Sequence, residues 1–115
     1  MNYVLIVKSN HLTTGRQALQ TAQDLLKQQH KISCIYFLFD GVYVANKYID
    51  MPSDEFNLTK AWQDLSIAND LSLLVCAASG FRRGIVAETI ADRFIFGSIG
   101  QLVDGCDQAK QVLTL

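Results

Sequence analysis

One proline, two histidines and seven glycines among 115 residues leave little material for several common kinds of site. Gly15 stands alone in the first polar loop, so neither GxGxxG nor GxxxxGK[ST] is present and nucleotide binding has no motif behind it. The three cysteines, Cys34, Cys76 and Cys106, form no CxxC pair and have no histidine-rich partner set. That argues against a disulfide framework and against any metal site. Charge of one sign is missing too: ten Lys and Arg against eleven Asp and Glu leave −1. The basic footprint of an independent nucleic-acid binder is therefore absent, and a protein partner is expected instead. No apolar run approaches the roughly 20 residues of a membrane span. Met1-Asn2-Tyr3 leads straight into a short apolar segment without a basic stretch or a small-residue cleavage site, so the expectation is a cytoplasmic chain with no membrane partner.

What the chain does have is apolar residues, 50% of the total, against 18% charged. Such a composition folds, and a length of 115 residues corresponds to one domain, residues 1–115. The apolar supply is generous for so small a sphere, which points to surface buried between subunits.

Tyr3-Val4-Leu5-Ile6-Val7 has the length and β-branched content of a buried strand. Ala18, Leu19, Ala22, Leu25 and Leu26 follow at helical spacing, with Thr13 or Thr14 placed to cap. Ile32 to Phe39 reads as a second strand, and Asp40 to Asp50 as a loop. Ser53-Asp54-Glu55 suits the start of a helix carrying Leu58, Ala61, Trp62 and Leu65, with Trp62 in the core. Leu71 to Cys76 is a third strand, broken by the small residues of Ala77 to Gly84. A helix through Ala87, Ile90, Ala91 and Phe94 is expected next, although Phe94-Ile95-Phe96 also suits a short strand. Ile99, Leu102, Val103 and Cys106 then mark a helix, and Val112 to Leu115 a last strand. The order implies an α/β fold: a single-domain, mostly parallel five-stranded sheet with helices on both faces.

In such sheets ligands gather beyond the carboxyl ends of the strands, near the point where strand order reverses. Of the loops found there, Lys8 to Arg16 holds His11, a lone histidine that reads as a solvated loop residue. Asp40 to Asp50 holds Tyr43 and Tyr48, interface candidates because they flank a glycine turn. Asp54-Glu55 is a poor acid/base pair, since adjacent helical residues diverge. Cys76 is the most informative residue. It ends a strand and opens a segment leading to Arg82 and Arg83, surroundings that favour a thiolate; it also reads as a buried cysteine that merely finishes a strand. Cys34 and Cys106 read as core. The spacing from Cys76 to Arg82 satisfies C-x5-R, the pattern of thiol phosphatases and arsenate reductases, but Arg83 stands where a Ser or Thr usually assists and no aspartate loop supplies the acid.

Several segments together resemble the DsrE family of small sulfur carriers, and within it the TusD-type subunits of the bacterial sulfur relay for tRNA thiolation. They are Phe39-Asp40-Gly41-Val42-Tyr43-Val44-Ala45-Asn46, then Ser53-Asp54-Glu55-Phe56 through Ala61-Trp62-Gln63, and Val75-Cys76-Ala77-Ala78 with Arg82-Arg83-Gly84 and Glu88-Thr89. The loop Ser9-Asn10-His11-Leu12 departs from the family's glycine-bearing form, and Ile90 to Leu115 keeps only a generic pattern. The resemblance implies a persulfide on Cys76, taken from an upstream protein donor and passed to a downstream acceptor. By their chemistry the backbone N–H groups of Ala77 to Gly80 and the side chains of Arg82 and Arg83 are candidates to stabilise its anion, and the arginines equally to dock a partner. The resemblance also implies TusB-like and TusC-like partner subunits and a sulfurtransferase role without cofactor. A non-catalytic structural subunit, or a carrier in oxidative sulfur metabolism, are the alternatives.

Overall fold

The computed structural model describes residues 2–9, 12–48, 56–108 and 111–115. Its elements run β1 (Asn2–Val7), α1 (Leu12–Lys27), β2 (Lys31–Phe37), a 3-10 helix (Phe39–Ala45), α2 (Leu58–Asn69), β3 (Leu73–Cys76), α3 (Ala77–Phe81), β4 (Phe94–Gly97), α4 (Ile99–Gln108) and β5 (Gln111–Thr114). The five strands form one sheet in the order β4-β3-β2-β1-β5, and every pairing is parallel. This is the expected α/β architecture.

Alternation along the strands sorts side chains onto two faces. Leu5, Val7, Ile35, Phe37, Leu73 and Val75 point to one face and meet Ala18, Leu19 and Ala22 of α1 and Trp62 of α2 in the main core. There the Phe37 ring stands edge-on to Trp62 and to Phe94, at 5.5 and 5.4 Å between centroids. Val4, Cys34, Tyr36 and Cys76 point to the other face, where Leu102 and Cys106 of α4 pack on them. The division follows from chain direction. Right-handed crossovers from β1 outward to β3 lay α1 and α2 on one face, and the return from β4 to β5 lays α4 on the opposite one. A single helix cannot cover five strands, so Ile95 of β4 and Val112 of β5 stay exposed on that second face.

Several local expectations are corrected. The helix through Ala87, Ile90, Ala91 and Phe94 does not form; residues 82–93 are turns and a bridge, and Phe94 opens β4. Three interactions account for this. The Thr89 hydroxyl donates to the Gly84 carbonyl at 2.6 Å and accepts from the Val86 amide at 2.9 Å. The Ala91 amide donates across to Ala45 at 2.7 Å. Gly84 itself sits at φ 80°, where a helix cannot continue. These backbone groups are satisfied by the 3-10 helix and by turns, and local helical spacing loses to them.

The Asp40 to Asn46 part of the expected loop is instead largely that 3-10 helix, with Val42, Val44 and Ala45 buried in the main core. α1 begins at Leu12, so Thr13 and Thr14 fall at its second and third positions and not ahead of it. α2 is capped by Asn57, whose side chain accepts from the Lys60 amide at 3.1 Å. Ser53-Asp54-Glu55, offered for that position, lies outside the described residues, as does His11. The second and third strands are two residues shorter than expected at one end, stopping at Phe37 and starting at Leu73. No helix among the described residues is long and apolar enough to cross a membrane.

Candidate functional site

Cys76 is the last residue of β3 and is 5% exposed. It faces the α4 side with Tyr36 and pairs in register with Gly97. It lies at the carboxyl edge of the sheet, as expected, but not at the reversal of strand order, which falls between β1 and β5. α3 starts at the very next residue, so Cys76 is its N-cap. The neutral thiol caps no amide of that turn. The anion is a different matter.

Burial is the largest single influence on Cys76 and pushes its thiol up; together the opposing groups outweigh it, and the net shift is below the ordinary thiol value. Those groups are, in order, the Ser79 hydroxyl, the Ser79 amide, the Tyr36 hydroxyl and the Ala78 amide. The thiolate is thus favoured by short-range donors. Cys34 shows the opposite: burial first, and then the nearby Cys106, push its thiol up.

Ser79 is held from both sides. Its hydroxyl accepts from the Phe39 amide at 3.1 Å, and its carbonyl accepts from the Arg83 guanidinium at 3.1 Å. Arg83 in turn pairs with Asp40 at 2.9 Å. Phe39 reaches this position in a left-handed conformation, φ 51°, and is 53% exposed. For a bulky aromatic that conformation is strained, and it persists because neighbouring contacts fix the chain on both sides. Gly41 supplies one of them: its amide donates to Lys8 at 3.1 Å and to Leu38 at 2.9 Å. A line of backbone support therefore runs from the end of β1 through Gly41, Phe39 and Ser79 to the sulfur.

Arg82 is exposed at the end of α3, its amide bonded to the carbonyl of Ala78. Arg83 spends its charge on Asp40, so the structure brings it to the loop that carries the thiol and not to the set of donors around the sulfur. The C-x5-R reading loses its basis here, because residues 77–81 are helical and do not open into an anion-wrapping loop. Tyr43 and Tyr48 are both exposed, Tyr48 the more so, with Lys47 over the Tyr48 ring. Among the described residues, no group of three or more His, Cys, Asp or Glu side chains is arranged to hold a metal ion. Sequence reasoning pointed to the amides of this turn but missed the hydroxyls of Ser79 and Tyr36. A serine three residues after the cysteine, at the third position of a helix, was a readable signal for the first; nothing local marked the second.

Brief iodoacetamide labelling of the folded protein near neutral pH, followed by mass mapping, is expected to modify Cys76 first, because the thiolate is the nucleophile. Faster labelling of Cys34 or Cys106 would overturn the site.

Fold and site together define a small α/β protein with a cysteine at a strand end whose thiol lies below its ordinary value. The chain belongs to the DsrE/DsrF-like family, whose model matches residues 1–115. That family is linked to sulfur transfer in general. Among solved structures the fold is similar to that of the ychN protein from E. coli, with a TM-score of 0.84, 19% identity and 100% of both chains covered. It is also similar to MTH1491 from Methanobacterium thermoautotrophicum, a protein of unknown function, with a TM-score of 0.76, 9% identity and 99% and 98% of the two chains covered.

Proposed function

We propose that this protein is a persulfide carrier, the TusD-like sulfurtransferase subunit of a cytoplasmic relay that thiolates tRNA wobble uridine. The observation that carries the reading is Cys76 itself: a cysteine at the rim of the sheet, its thiol drawn below the ordinary value by the Ser79 and Tyr36 hydroxyls and nearby amides, in a DsrE/DsrF-like chain. The Cys76 thiolate attacks the outer sulfur of a donor protein's cysteine persulfide. The donor's S–S bond breaks, the donor cysteine leaves as a thiolate, and the new S–S bond stands on Cys76. A downstream thiolate takes the outer sulfur in the same way, so no oxidant or reductant is consumed. Arg82, free at the surface, suits docking, and Arg83 braces the loop.

The partners are TusB-like and TusC-like subunits. The exposed Ile95 and Val112 on the thinly covered sheet face, with Tyr43 and Tyr48, supply apolar contact surface for them. A net charge of −1 argues against the chain gripping tRNA by itself.

Incubation with a cysteine desulfurase, cysteine and the upstream carrier is expected to add the mass of one sulfur atom to the intact chain. Co-expression with the two partners is expected to give a defined hetero-oligomer by light scattering. No added sulfur overturns the carrier and favours the structural-subunit alternative; a chain that loads sulfur but ignores both partners keeps the carrier and loses the TusD-like assignment.

A further inference from the structure

Tyr36 lies near the end of β2, 0% exposed, on the face it shares with Cys76. A buried phenol hydroxyl needs a partner, and this one finds it two strands away. Tyr36 is in register with Leu74 of β3, and its hydroxyl passes over that strand to donate to the Gly97 carbonyl of β4. Gly97 is the register partner of Cys76, so the phenol oxygen ends beside the reacting sulfur. At 3.2 Å the bond to Gly97 is long for an O–H donor, whose usual range is about 2.5–3.0 Å, and is easily exchanged.

We propose that Tyr36 is a hydrogen-bond-donating residue of the Cys76 site: its hydroxyl rests on Gly97 while the sulfur is a neutral thiol and turns to the sulfur when it is a thiolate or a persulfide anion. One phenol proton faces two acceptors, and the charged one forms the stronger bond. No covalent bond changes in this step; the proton stays on the phenol oxygen. Burial first, then Cys76 and Cys34, hold that proton far above the ordinary tyrosine range, which keeps Tyr36 a donor while the thiolate exists. The titratable and charged groups around the pair are Cys34 on β2, Cys106 on α4, and the Asp40–Arg83 pair where the 3-10 helix meets α3. Of the side chains here, Tyr36 and Ser79 are the ones that favour the anion.

The inference rests on Cys76 as the working thiol, but its test needs no sulfur donor. The pH profile of Cys76 alkylation is measured in wild type and in Tyr36→Phe. The expected result is a midpoint raised by about one pH unit and labelling about tenfold slower at neutral pH, with rates converging at high pH. A purely structural role lowers the melting temperature and leaves the midpoint in place, and that result overturns the proposal. Should Tyr36→Phe fail to fold, fluorotyrosine at position 36 keeps the ring and strengthens the donor. The midpoint then falls if the proposal holds, and an unchanged midpoint overturns it. Failure of sulfur loading with these shifts intact overturns the carrier reading alone.

Discussion

Cys76→Ser is expected to abolish sulfur loading while leaving the circular dichroism spectrum and thermal midpoint where they were. Serine has nearly the volume of cysteine and is among the preferred N-cap residues, so the position that opens α3 accepts it without loss. Its oxygen cannot carry the transferred sulfur, so chemistry alone is removed. Cys34→Ser is the matching control with the opposite outcome. Cys34 is buried against Val4, Tyr36 and Leu102, where a new hydroxyl loses water; the cost is roughly 1–3 kcal/mol of stability with sulfur loading retained. Intact mass after loading, together with chemical denaturation of both variants, checks the pair. Retained loading in Cys76→Ser would move the chemistry to another residue.

The largest structural effect is expected from Gly41→Ala. A Cβ at this position would lie 2.1 Å from the Val7 carbonyl oxygen and 2.9 Å from its carbon. Both are backbone atoms of β1, an interior strand of the sheet, and cannot turn aside. The 3-10 helix must back away, breaking the Gly41 amide bonds to Lys8 and Leu38 and shifting Phe39, the residue that holds the Ser79 hydroxyl. The expected cost is about 3 kcal/mol or more, with slower Cys76 alkylation in whatever protein still folds. Gly100→Ala gives the contrast. Its Cβ meets only the Ser98 hydroxyl at 3.5 Å, inside α4, and a helical alanine is expected to gain roughly 0.5–1 kcal/mol. Denaturant midpoints measure both; equal stabilities for the two variants would refute the close-approach argument.

Local sequence information ends where a distant group claims the backbone. Tyr3 to Val7, the spacing of Ala18, Leu19 and Ala22, and the run from Leu58 to Leu65 determined their elements, because each buries apolar side chains at the spacing of the element that forms. The same logic failed between Ala87 and Phe94. The apolar spacing there is helical, but the Thr89 hydroxyl and the Ala45 carbonyl offer that backbone other partners. Cys76 was visible as a strand-ending cysteine ahead of a small-residue segment, and the DsrE resemblance gathered on the residues around it.

What the sequence determined by itself is the alternating α/β order, the parallel sheet that such an order requires, the main-core face and the cysteine at a strand end. What only the tertiary structure decided is the environment of that cysteine. Arg83 was read as its neighbour from spacing along the chain, yet Asp40, 43 positions away, takes the charge. Tyr36 was one apolar-strand aromatic among several, and only the order β4-β3-β2 carries its hydroxyl across to the Cys76 and Gly97 pair. The physical reason is range: burial patterns repeat within a turn or a strand and can be read locally, whereas a hydrogen bond at about 3 Å between residues 61 positions apart exists only after the sheet has set their separation.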